Sequence, residues 1–132
     1  MKSLYESILD VEDNIDNMDK SIKDQIKQFL NNNFKNASRF KISEKPNKDG
    51  LYEVSGDDRV NIINKNITSL TNGMFIWTTV KESFICVNCN SLTSLNGAPK
   101  EVGRTFCCVD CGSKFTQEDV KKVSNVKGRI KV

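Results

Sequence analysis

"FICVNCNSLTSLNGAPKEVGRTFCCVDCG", residues 84–112, holds two Cys-x-x-Cys pairs, and the reading of those pairs decides the fold. Cys86, Cys89, Cys108 and Cys111 have the spacing of a four-cysteine zinc site, Cys-x2-Cys-x18-Cys-x2-Cys. The second pair, in "CVDCGSKF", adds the glycine with which a zinc knuckle turns and donates amides to sulfur. Yet each cysteine of the first pair lies 22 residues from its counterpart in the second. The same step relates Phe84 to Phe106 and Val87 to Val109. A repeating coil produces that spacing with no metal.

The repeat extends to both sides of the quoted stretch. Val60-x-Ile62, Phe84-x-Cys86, Phe106-x-Cys108 and Ile130-x-Val132 are apolar-x-apolar segments whose starts lie 24, 22 and 24 residues apart. Two of them share a tail, "NITSL" at 66–70 and "SLTSL" at 91–95. This is the period of a leucine-rich repeat, one strand and one return segment per coil. The second coil fits the cysteine form of that repeat, Phe84-x-Cys86-x-x-Cys89-x-x-Leu92-x-x-Leu95. Strands are expected near 60–63, 84–88, 106–109 and 129–132, stacked in parallel about 4.8 Å apart so that each position lines up with itself. Cys86 and Cys108 are then core thiols acting as small hydrophobes, Cys89 and Cys111 stack at the turn, and Cys107 points to the opposite face. Thr116 caps "QEDVKKV", a helix near 117–123 on the convex side, and Lys127-Gly128 turns the chain into the last strand. "TNGMFIWTTVKE" (71–82) reads as an irregular return segment.

Upstream, Ser3 and Glu6 form a capping box. Apolar residues at Leu4, Ile8, Val11, Ile15, Met18, Ile22, Ile26 and Phe29 then trace a helical stripe. The acidic, Asn-rich run from Asp10 to Asp19 favours a break, leaving 21–34 as the firmer helix. "RFKIS" (39–43) and "LYEVS" (51–55) alternate as strands do around the turn chemistry of Pro46 and Asp49-Gly50, which predicts a hairpin. The expected architecture is α+β: an arm or tag over 1–20, a helix and β-hairpin cap over 21–58, and leucine-rich-repeat-like coils over 59–132.

"VNIINKNITSL", "SLTSLNGAPKEVG" and "FTQEDVKKVSNVKGRIKV" resemble the short leucine-rich-repeat-like proteins of gut Bacteroidetes and their phages, including crAss-like phages. The resemblance covers roughly residues 50–132, and "LTSLNGAPKEVG" is its most specific module. Members typically have more coils and an Asn where this chain has Cys89. The opening "MKSLYESIL" is similar in character to capsid-targeting peptides of large tailed phages. The resemblance implies a phage or prophage origin, a place in the bacterial host cytoplasm or the virion interior, and a contact role. It implies no reaction.

Composition bounds the chemistry. The 132 residues are 37% hydrophobic and 28% charged, enough for one modest core and against global disorder. No apolar run approaches the ~18 residues of a membrane span, and Lys2 is not followed by the apolar region of a secretory signal. Five cysteines without such a signal point to a reducing compartment, where metal, packing or redox roles outrank disulfides. There is no histidine, which removes the commonest general base, and no nucleophile motif or phosphate loop stands out, so no enzyme is expected. The acidic residues between Asp10 and Asp19 lack the Gly and final Glu of a calcium loop. Residues 1–58 carry 9 basic and 12 acidic side chains, while 59–132 carry 11 and 5. A basic patch of Lys121, Lys122, Lys127, Arg129 and Lys131 lacks the aromatic platform of single-strand binders, so nucleic acid is the less favoured partner.

Ile63, Ile85, Val87, Cys107 and Val109 alternate with the core positions and are also apolar. Strands apolar on both faces are usually covered on both. The amphipathic helix from Ile22 to Phe34 is the nearest cover, with a homodimer or a protein partner as the functional alternative. The expected function is a non-enzymatic, cofactor-free interaction module, virion-associated or blocking a host protein such as a defence effector. The competing expectation is a zinc-ribbon-like nucleic-acid module that binds zinc through Cys86, Cys89, Cys108 and Cys111.

Overall fold

A computed structural model describes residues 21–132. The Ser3–Glu6 capping box, the acidic run from Asp10 to Asp19 and the 1–20 arm lie outside them. Helix α1 occupies 21–33, followed by a 3-10 turn at Ala37–Arg39 and the short strand β1 (Lys41–Ile42). From Tyr52 onward the chain winds as four rungs, each with two strands joined by a three-residue corner. Rung 1 joins β2 (Tyr52–Gly56) to β3 (Val60–Asn61), and rung 2 joins β4 (Phe75–Val80) to β5 (Phe84–Val87). Rung 3 joins β6 (Glu101–Val102) to β7 (Phe106–Val109), and rung 4 joins β8 (Asn125–Val126) to β9 (Ile130–Lys131). Helix α2 (Gln117–Val123) lies in the segment between rungs 3 and 4.

Stacking the rungs makes two parallel sheets, β2-β4-β6-β8 and β3-β5-β7-β9, with β1 antiparallel on the outer edge of β2. The molecule is α+β with a solenoid-like, repeat-like parallel ladder. The corners repeat as faithfully as the strands. On one side Lys81, Gly103 and Lys127 donate their amides to Gly56, Val80 and Val102 at 3.0, 2.8 and 2.9 Å. On the other, Val60, Phe84 and Phe106 donate to Ser83, Thr105 and Arg129 at 2.8, 2.9 and 2.9 Å. Backbone groups that would otherwise be buried unpaired at each corner are thus satisfied by the next rung. The close approach leaves no room for a side chain at two corner glycines. A β-carbon at Gly103 would overlap the Lys81 carbonyl, and one at Gly128 the Arg104 carbonyl.

The core lies between the sheets. Columns of like residues run along it: Phe84 against Phe106 with ring centroids 5.3 Å apart, and Cys86 in register with Cys108. Ile67, Leu70, Leu92 and Leu95 from the shared tails close its third side and are buried. Trp77 anchors the first half of the core, fully buried, with its Nε1 donating to the Leu70 carbonyl at 3.2 Å.

The strands β3, β5, β7 and β9, the β1–β2 hairpin and α2 with its Thr116 cap fall where expected. Thr116 and Asp119 form a reciprocal capping box, with Thr116 accepting from the Asp119 amide at 3.2 Å. One reading needs correction. "TNGMFIWTTVKE" is not irregular, since its "FIWTTV" is β4, the longest described strand and the centre of a second parallel sheet. β2, from the segment expected as a cap, pairs in parallel with β4 in that sheet.

The helix also sits elsewhere than expected. Ile26, Leu30 and Phe34 of this segment join the main core cluster, with Phe34 against Trp77 at 5.3 Å and Phe29 against Phe75 at 5.8 Å. Its end is tied to the edge of β3: Asn33 accepts the Ile63 amide at 2.8 Å, and Phe34 bridges Ile62 antiparallel. α1 therefore closes the first end of the ladder. The apolar stripe is satisfied there, with Ile26 and Leu30 at 0% and 1% exposure.

Candidate interaction face and cysteine cluster

The outer face of the β3-β5-β7-β9 sheet is laid out in rows by the register of its strands. Asn61, Ile85, Cys107 and Lys131 are aligned partners, and Val87 is aligned with Val109. Ile63 is 52% exposed, Ile85, Val87 and Val109 are half-buried, and Cys107 is 8% exposed. The residues proposed for this face are thus brought together, but not under α1. A cleft beside them is lined by Arg59, Ser83, Ile85, Thr105, Cys107, Arg129 and Lys131. Arg59, Ser83 and Thr105 went unnoticed in the sequence. Their signal was available: with Arg129 they recur at 24, 22 and 24 residues, one per corner.

The basic residues are distributed over two clefts and a corner. Lys121 and Lys122 line a shallow cleft with Lys100, Val123, Ser124 and Ile130, whereas Arg129 and Lys131 belong to the outer-face cleft. Lys127 lies in the corner of rung 4, outside both linings. Corner charges on the earlier rungs are paired instead: Asp57 with Lys41 at 3.0 Å and Lys81 at 3.1 Å, and Glu82 with Arg104 at 2.8 Å.

The ladder explains the two Cys-x-x-Cys pairs locally. The first cysteine of each pair points inward from a strand. Two residues on, Asn88 (φ 57°) and Asp110 (φ 55°) take the left-handed conformation that Asn and Asp tolerate best. That turn returns the next side chain, Cys89 or Cys111, to the ladder. The Cys86 thiol donates to the Cys107 carbonyl at 3.2 Å, while Cys111 Sγ lies 3.5 Å from the Cys86 carbonyl. Cys89 and Cys111 occupy stacked turns, the Gly112 amide donating to the Cys89 carbonyl at 3.0 Å. All five cysteines are free thiols, and only Cys111 is more than slightly exposed.

These contacts divide the protons unequally. The neighbouring Cys108 and Cys111 thiols, then burial, push the Cys86 thiol far up, so it keeps its proton. The protonated Cys86 beside them holds Cys111 down at about 7 and also lowers Cys108. Burial raises Cys89 and Cys107. The four cysteines of the zinc expectation therefore lie as two stacked pairs on rungs 2 and 3. Among the described residues no group of three or more His, Cys, Asp or Glu side chains converges as a metal site would require.

No known protein family, curated protein or solved structure matches the chain. Among the described residues, no helix is long and apolar enough to cross a membrane.

Proposed function

We propose that the chain is a non-enzymatic protein-interaction module whose contact surface is the outer face of the β3-β5-β7-β9 sheet. One observation carries this reading: Ile85, Val87 and Val109 stay half-buried on this face and Ile63 is 52% exposed, while α1 is committed to the end of the core. Single exposed apolar residues are ordinary, but apolar positions aligned on the two middle rungs favour a surface kept for contact. The rung period and shared tails support a leucine-rich-repeat-like class. With "LTSLNGAPKEVG" and "MKSLYESIL", they favour a phage-type protein acting in the host cytoplasm or carried in the virion, where its partner is a host or virion protein. Immobilised full-length chain should capture that partner, and Ile63→Asp with Val87→Glu should weaken capture by about 2 kcal/mol or more at unchanged thermal melting. Equal capture by the variant would reject this face. A concentration-dependent doubling of mass in light scattering would instead assign it to a homodimer.

The stacked cysteine pairs favour a second reading, the zinc-ribbon-like nucleic-acid module. About one zinc per purified chain, lost together with folding on chelation, would establish it. Unchanged folding after Cys89→Asn and Cys111→Asn would remove it.

A further inference from the structure

We propose that Cys111 and Cys89 form an oxidation site, a peroxide-reactive thiol and its resolving partner that close into a disulfide between rungs 2 and 3. The inference is independent of the interaction face and rests on placement. Cys89 and Cys111 are the same position of consecutive rungs, and the Gly112 amide donates to the Cys89 carbonyl at 3.0 Å, locking the two turns in stack. Each sulfur lies against the carbonyl two residues before it, Cys89 near Val87 at 3.7 Å and Cys111 near Val109 at 3.9 Å, so the side chains leave the backbone alike. Backbones stacked at the usual parallel spacing of about 4.8 Å lie within the roughly 4.4–6.8 Å Cα separation that a disulfide spans.

Access separates their roles. Cys111 is half-exposed and opens into a cleft lined by Asp110, Ser113, Lys114, Phe115 and Val132; Cys108 also borders it but is only 3% exposed, and Cys89 is fully buried. Peroxide therefore meets Cys111 first. Its sulfur attacks one peroxide oxygen, the O–O bond breaks, and sulfenic acid and one water form. Cys89 sulfur then attacks Cys111 sulfur, the S–O bond breaks, and the hydroxyl leaves with the Cys89 proton as a second water. Two thiols lose two electrons and peroxide gains them. Cys86 stays bonded to the Cys107 carbonyl in the interior, and Cys107 faces the other side of the sheet.

Full-length protein treated with hydrogen peroxide near stoichiometry should lose two hydrogens in intact mass, and peptide mapping should join Cys89 to Cys111. In Cys89→Ser the second step is blocked, so dimedone capture at Cys111 should rise about tenfold over the parent chain. Mapping of the unaltered chain decides the matter even if that variant fails to fold. Five free thiols after treatment, or a disulfide through Cys86, Cys107 or Cys108, overturns the proposal. Release of zinc in step with oxidation overturns it as well and assigns the thiols to the metal. None of these results bears on capture through the outer face.

Discussion

Gly103 shows how tightly single positions are held. Its missing side chain leaves the gap through which the Lys81 carbonyl passes, and its amide reaches the Val80 carbonyl at 2.8 Å. Gly103→Ala must push two rungs apart, and thermal or denaturant unfolding should show a loss of about 1–3 kcal/mol. Asp57 illustrates the charges that decorate the same corners. Hydrogen bonds from Lys41 and Lys81, reinforced by their charges, hold its carboxyl below the usual value of 3.8. A carboxyl depressed by folding stabilises above its unfolded pKa, and that contribution fades as pH falls through the folded value. Stability should therefore drop on acidification below about pH 4, and Asp57→Asn should make that drop shallower in melting curves taken across the range. The inward and outward positions of Cys86, Cys107 and Cys108 were legible from period-two alternation. The unequal hold on protons among the thiols was not, because spacing places residues in columns without saying which sulfur keeps its proton.

Among the elements, α1 carries the plainest test. Phe34 is 1% exposed and contacts Phe29, Phe40 and Trp77. Phe34→Ala should cost about 3–5 kcal/mol in chemical denaturation, as for other buried aromatics, because it opens a cavity at the ladder's end. If α1 covered the sheet's outer face instead, the loss would be that of a half-exposed contact, well under this range. The stripe Ile22, Ile26, Phe29 showed in the sequence that one side of the helix is buried, but a stripe does not name what it packs on. The second sheet was hidden for a different reason. β6 and β8 are two residues each, and they are strands only because neighbouring rungs supply their hydrogen bonds. Short segments of that kind carry no alternation of their own. β4 does carry a β-branched, aromatic run, "FIWTTV", but the apolar-x-apolar repeat marks only one strand per rung, and β4 lies between two of its copies.

At the scale of the molecule, the ladder is asymmetric. Among the described residues, rung 1 is closed by α1 and β1, rungs 2 and 3 have strands on both sides, and rung 4 pairs on one side only. Nearest-neighbour coupling of this kind makes stability a sum along an axis. Amide hydrogen exchange should accordingly report a gradient: β9 and β8 exchange first through local opening, while the amides of β4 and β5 exchange only with global unfolding. Uniform protection from end to end would contradict it. Such a molecule melts as a zip fastener does, from its loose tab, so a mechanical pull on Val132 should peel turns one at a time, whereas a pull that engages α1 first must break the closed end before anything runs.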